Sequence, residues 1–131
     1  MNLKDYGVAL HDVGTALINL SNEKEMLFNV DAQNLYLELP KYVEVYEESV
    51  KRLKHLQPLD VVSDEHNCLI EGLEGIVDAF YCIFLGIDNE NNLLDDKIFA
   101  KSVLMINEYE ESLLNTTKAM INKLISMHYQ F

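Results

Sequence analysis

Three pairs of glutamates stand three residues apart, Glu44 with Glu47, Glu71 with Glu74 and Glu108 with Glu111, a spacing that puts two carboxylates on one face of a helix. Carboxylates so placed hold metal pairs in di-iron helical bundles, but that chemistry also needs Glu-x-x-His on two of the helices to supply the imidazoles. The chain contains no Glu-x-x-His, so the pairs are read as acidic helical surface and no metal is assigned to them.

Histidine is the other candidate ligand. In an up-down arrangement of the helices inferred below, His11, His55, His66 and His128 all fall toward one end. His11 and His55 are expected to point outward while His66 flanks the core. Convergence on one zinc would require two helices to be rotated differently, and scattered surface and boundary histidines are the preferred reading. Asp88, Glu90 and Asn92 imitate positions 1, 3 and 5 of a calcium loop, yet Leu93 stands where the turn needs glycine and Phe99 where a bidentate Glu belongs. This is an ordinary acidic loop.

Nucleophiles fare no better. A catalytic cysteine needs a stabilised thiolate, and Cys68 lies near Asp64 and Glu71, whose charges oppose ionisation. Cys68 and Cys82 are 14 residues apart on one expected helix, about 21 Å, too far to bridge. Both suit a reducing cytoplasm. There is no Gly-x-Ser-x-Gly, no Cys-x-x-Cys and no phosphate-cradling glycine loop, so no catalytic residue and no cofactor is assigned and the chain is read as non-enzymatic.

The elements that carry these residues follow from periodicity. Leu69, Leu73, Ile76, Phe80, Ile83 and Ile87 form one line at 4,3,4,3,4 spacing, with Asp64, Glu71 and Asp78 opposite it. The first segment keeps Leu3, Tyr6, Leu10, Val13, Leu17, Leu20 and Leu27 in a 3,4 pattern broken only by Lys24, which predicts a helix from residue 3 to 28. Asp31 is a good N-cap for a second helix, whose pattern from Tyr36 to Leu53 runs through Pro40 in phase and so favours a kink there over a helix whose true first turn holds the proline. Pro58 ends it. The third helix begins no later than Ser63-Asp64 and stops at the polar run 88 to 92, and a fourth of about 35 residues follows. The Gly7/Gly14/Ser21 ladder is either simply tolerated in the first helix or admits a close neighbour, and in the second case a like ladder on the third helix, Gly72/Ala79/Gly86, is spaced to meet it.

Four helices with short connections predict an all-α protein, a single domain over 1 to 131, folded as an antiparallel up-down-up-down four-helix bundle with a long C-terminal helix. Nothing reaches the roughly 20 apolar residues of a membrane span, and Lys4, Asp5, His11 and Asp12 interrupt the first segment, so neither an anchor nor a signal peptide is expected and the location is read as cytoplasmic.

Ten basic against 22 acidic residues give a net charge of -12. Residues 61 to 90 hold seven acids and no Lys or Arg. Phosphates would be repelled, which argues against direct nucleic-acid or anionic-membrane binding, whereas a basic protein would be attracted. The stripe Asp64, Glu71, Glu74 and Asp78 has no Lys on its own helix to relieve it, and it continues into the apolar Tyr81, Cys82 and Leu85. The first or fourth helix covers that apolar end, or it is an exposed docking patch. The resulting expectation is a non-catalytic protein-binding module, of the size and charge of immunity proteins, antitoxins, inhibitors and secretion chaperones. It would engage a basic partner through Asp64, Glu71, Glu74, Asp78, Tyr81 and Leu85. The alternatives are a self-associating bundle, with the patch buried in a homodimer, a nucleic-acid mimic and a small metal-binding enzyme. The Asn, Lys and Ile content is that of an AT-rich bacterial or phage genome.

Overall fold

The computed structural model describes residues 2–129, excluding the side chains of Glu25, His128 and Tyr129. Helix α1 spans Leu3–Phe28, α2 Ala32–His55, α3 Ser63–Leu85 and α4 Asp96–Tyr129. Three of the four starts are set by side chains that accept the free amides of a first turn, while α3 follows Val62 with no side-chain cap. Asn2 accepts from the Asp5 amide at 2.8 Å, Asp31 from Asn34 at 2.9 Å, and Asp95 from Ile98 at 3.0 Å. Helix α2 continues without interruption through Pro40, an exposed position where loss of one amide donor is tolerated.

Two features go beyond the four helices. A short 3₁₀ turn, Asp60–Val62, leads into α3. The polar run after α3 is the tip of a small hairpin in which β1 (Ile87–Asp88) pairs antiparallel with β2 (Leu93–Leu94). Asn92 takes the left-handed conformation at its turn, with φ 53°. The hairpin is tied to the start of α2, where the Gln33 amide donates to Asn92 Oδ1 at 2.9 Å and its side chain donates to the Asn89 carbonyl at 3.1 Å.

Contacts along the helices give the up-down-up-down order. Arg52 of α2 faces Asp12 of α1, Lys54 of α2 faces Glu74 of α3, and Lys123 of α4 pairs with Glu65 of α3. Lys24 of α1 pairs with Glu110 of α4, closing the ring. The 3,4 spacing predicts most of the core: Tyr6, Val13, Leu39, Leu53, Leu73, Ile76, Phe80 and Ile83 are buried, while at the start of α2 Leu35 is buried and Tyr36, which the pattern places in the core, is half-buried. Each large apolar side chain so buried contributes about 1.5–3 kcal/mol. Stacking of Tyr36 on Phe84, with ring centroids 4.7 Å apart, and of Phe28 edge-on to Phe99 at 5.5 Å closes the hairpin end of the bundle.

Lys24, the break in the α1 pattern, spans a half-buried gap: its ammonium reaches Glu110 at 2.6 Å and Asn107 Oδ1 at 3.0 Å. The small-residue ladders do not meet. A Cβ at Gly72 would approach Leu113 of α4 at 2.8 Å, and one at Gly75 would collide with the Tyr109 ring, so the small positions of α3 admit α4 instead of α1. Those at Gly7 and Gly14 would touch nothing within 4 Å. The ladder of α1 borders an open groove instead.

Candidate functional site

Helix α3 presents Asp64, Glu71, Glu74 and Asp78 to solvent along one side, since its opposite face supplies the bundle core. Tyr81 and Leu85 continue the same side, two and three turns beyond Glu74. From Asp64 to Leu85 the face runs about 32 Å at 1.5 Å per residue. The apolar end is covered by neither α1 nor α4: Leu85 is 83% exposed, Tyr81 48%, and Cys82 is exposed as well.

Helix α2 contributes more to this face than its sequence suggested. Lys54 reaches Glu74 at 3.2 Å, so the stripe is relieved at one point by a neighbouring helix. Both partners are about half exposed, and such a pair contributes at most about 1 kcal/mol. Asp64, Glu71 and Asp78 remain exposed. The Tyr81 hydroxyl donates to Glu47 Oε1 at 2.7 Å, and this bond to a carboxylate, with desolvation, raises the phenol pKa above its ordinary value. Leu39, Pro40, Val43 and Phe84 line a small pocket of about 170 Å³ beside Tyr81, with Glu44 and Glu47 at its edge. The i,i+3 pair Glu44/Glu47 was visible in sequence, but its position beside Tyr81 depends on how α2 packs against α3.

The histidines are separated by burial. His66 is 2% exposed and lies inside the bundle, more deeply than the flanking position expected of it. Its Nε2 is 2.8 Å from the Leu53 carbonyl, which can only accept, so Nε2 carries the proton and Nδ1 accepts from the Tyr6 hydroxyl at 2.6 Å. Both ring nitrogens therefore have protein partners. His11 and His55 are exposed, and the His128 side chain lies outside the described residues. Among the described residues no group of three or more His, Cys, Asp or Glu is arranged to hold a metal ion. In the loop with calcium-like spacing, Asp88 is engaged by the Asn91 amide at 3.2 Å and its Nδ2 at 2.7 Å, bonds that lower the Asp88 pKa. Asn92 is engaged by Gln33.

One further feature gave no sequence signal beyond the glycines. Between the N-terminal half of α1 and the C-terminal half of α4 lies a solvent-open groove of about 900 Å³, floored by Leu53, Leu69 and Leu73. Val8 and Ile18 on α1 and Ile121 and Ile125 on α4 line it while remaining about half exposed or more.

No helix among the described residues is long and apolar enough to cross a membrane. Compared with known proteins, the chain matches no family model, no curated protein and no solved structure.

Proposed function

We propose that this protein is a non-catalytic binding module that engages a basic protein partner through the α2–α3 face, with Asp64, Glu71, Glu74, Asp78, Tyr81 and Leu85 as contact residues. The observation that carries this reading is the 83% exposure of Leu85 at the end of a row of carboxylates. A large apolar side chain held in water on a rigid helix gains free energy on being covered, and carboxylates beside it select what covers it. The acids attract a basic surface at long range and raise the association rate. Tyr81, Leu85 and the pocket beside Pro40 then supply short-range affinity. Glu47, which holds the Tyr81 ring by its hydroxyl, limits the freedom lost on binding.

The test compares wild type with two folded variants in partner capture from a cell lysate, one carrying Asp64→Asn, Glu71→Gln and Asp78→Asn, the other Leu85→Glu. The expected result is a basic protein retained by wild type, weakened by salt, and lost from both variants. Unchanged capture by both variants overturns the reading. Light scattering of wild type and Leu85→Glu is run first, because a wild-type dimer split by the substitution would assign the patch to self-association.

A further inference from the structure

We propose that the small pocket between α2 and α3 beside Tyr81 receives one arginine side chain of the basic partner, with Glu44 and Glu47 as its counter-charges. The inference rests on the reading of the α2–α3 face as a protein-binding surface and names the group which that face recognises.

The pocket joins an apolar interior to a charged edge. Leu39 and Val43, both buried, lie deepest, with Pro40, Phe84 and Tyr81 beside them. Of its described lining residues only Glu44 and Glu47 are charged, and both are exposed. At about 170 Å³ the space is below the roughly 300–1,000 Å³ of sites for whole small molecules, so it suits a single side chain. An apolar lining that ends in carboxylates fits a side chain with an apolar stem and a cationic head, which covers its methylenes while its charge stays at the water boundary. A purely apolar side chain would leave the carboxylates without an answering charge. An acidic one would be repelled.

The chain supplies no cation of its own here. Glu44 and Glu47 stand one turn apart, where like charges repel each other. Lys41, one turn before Glu44, is turned instead to Glu38 at 3.2 Å. Glu47 accepts the Tyr81 hydroxyl on Oε1 at 2.7 Å, and a carboxylate has room for further donors on its second oxygen. That bond fixes both the carboxylate and the ring. Stacking of Tyr36 on Phe84, with centroids 4.7 Å apart, steadies another wall, so little ordering is left for binding to impose.

The head group that uses this arrangement best is a guanidinium. It is planar, offers several donors to two carboxylates at once and lies favourably on an aromatic ring such as that of Tyr81, whereas an ammonium is a compact and more strongly hydrated charge. Leu85, adjacent to Phe84 in the chain and outside the pocket, remains available to the apolar surroundings of that arginine.

The experiment follows backbone amide shifts by NMR while the full chain is titrated with Nα-acetyl-arginine amide, with its uncharged isostere Nα-acetyl-citrulline amide, and with Nα-acetyl-lysine amide. Wild type is compared with the double variant Glu44→Gln, Glu47→Gln, whose amide oxygen at position 47 still accepts from Tyr81, so charge is lost while shape is kept. Expected are saturable shifts at Val43, Glu44, Tyr81 and Phe84 with the arginine compound, binding about fivefold weaker in the double variant, weaker binding of the lysine compound and none of the citrulline compound. Shifts that do not saturate, or that saturate equally in the double variant or with citrulline, overturn the inference, and equal binding of lysine overturns the choice of arginine. Partner capture separates this failure from failure of the binding face. Capture lost with Leu85→Glu but kept by the double variant overturns the arginine pocket and leaves the face standing, whereas capture indifferent both to Leu85→Glu and to the Asp64, Glu71 and Asp78 variant overturns the face and the inference with it.

Discussion

The Tyr6 hydroxyl lies 2.6 Å from His66 Nδ1, and through the opposite nitrogen of that ring, 2.8 Å from the Leu53 carbonyl, one buried chain of hydrogen bonds links α1, α3 and α2. Tyr6→Phe removes the donor and leaves Nδ1 buried without a partner, which is expected to lower stability by about 1–3 kcal/mol in urea denaturation. A cost near zero would show that the ring finds another donor. The same residue carries a pH signature. Burial, with a smaller contribution from the Glu65 charge, raises the Tyr6 pKa from 10.0 to about 12. The unfolded chain therefore releases this proton first, so the contribution is complete below pH 10 and is lost as pH rises from 10 to about 12. Tyr46, buried and near Glu110, is shifted in the same direction. Melting temperatures across that range should fall less steeply in Tyr6→Phe than in wild type.

Lys24 and Glu110 are paired across the α1–α4 seam at 2.6 Å, with most of each side chain removed from water. Glu110 Oε1 is already buried without a hydrogen-bond partner. Lys24→Met should be markedly destabilising, by roughly 2–4 kcal/mol, because it strands the carboxylate. Adding Glu110→Leu to it should recover most of the loss, since two apolar groups of similar size can replace a buried pair at little cost. A double variant as unstable as the single one would show that these side chains hold the seam by shape and not by charge.

The glycines of α1 and α3 should respond with opposite sign to the same substitution. Gly14→Ala adds a methyl group where nothing lies within 4 Å, and is expected to raise stability by roughly 0.5–1 kcal/mol through helix propensity and reduced freedom of the unfolded chain. Gly75→Ala places its methyl into the Tyr109 ring, and should lower stability by about 1–3 kcal/mol by forcing α4 away from α3. Paired thermal melts decide the matter. Stabilisation by both would mean that α4 has room to move off α3.

Local chemistry was legible in the residues themselves. The line from Leu69 to Ile83 had to face a core because a period of 3.6 residues leaves those side chains no other common direction, and those positions are buried. Asp31 could be read as a cap because the interaction that makes it one spans only three residues, and the stop after α3 could be read from its run of turn formers. Short connections then left little choice but antiparallel neighbours. What could not be read depends on how each helix is rotated and spaced against the others, to which side-chain periodicity is blind. The relief of Glu74 by Lys54, the placing of Glu47 against Tyr81 and the pairing of Lys24 with Glu110, 86 residues away, belong to that class. So does the destination of the glycines: the small residues of α1 and α3 look alike in the chain, but Leu113 and Tyr109 fill one set while the groove leaves the other open. Packing between distant segments decides such contacts, because a side chain's neighbours across an interface are set by the three-dimensional fit of several helices at once and not by the spacing within any one of them.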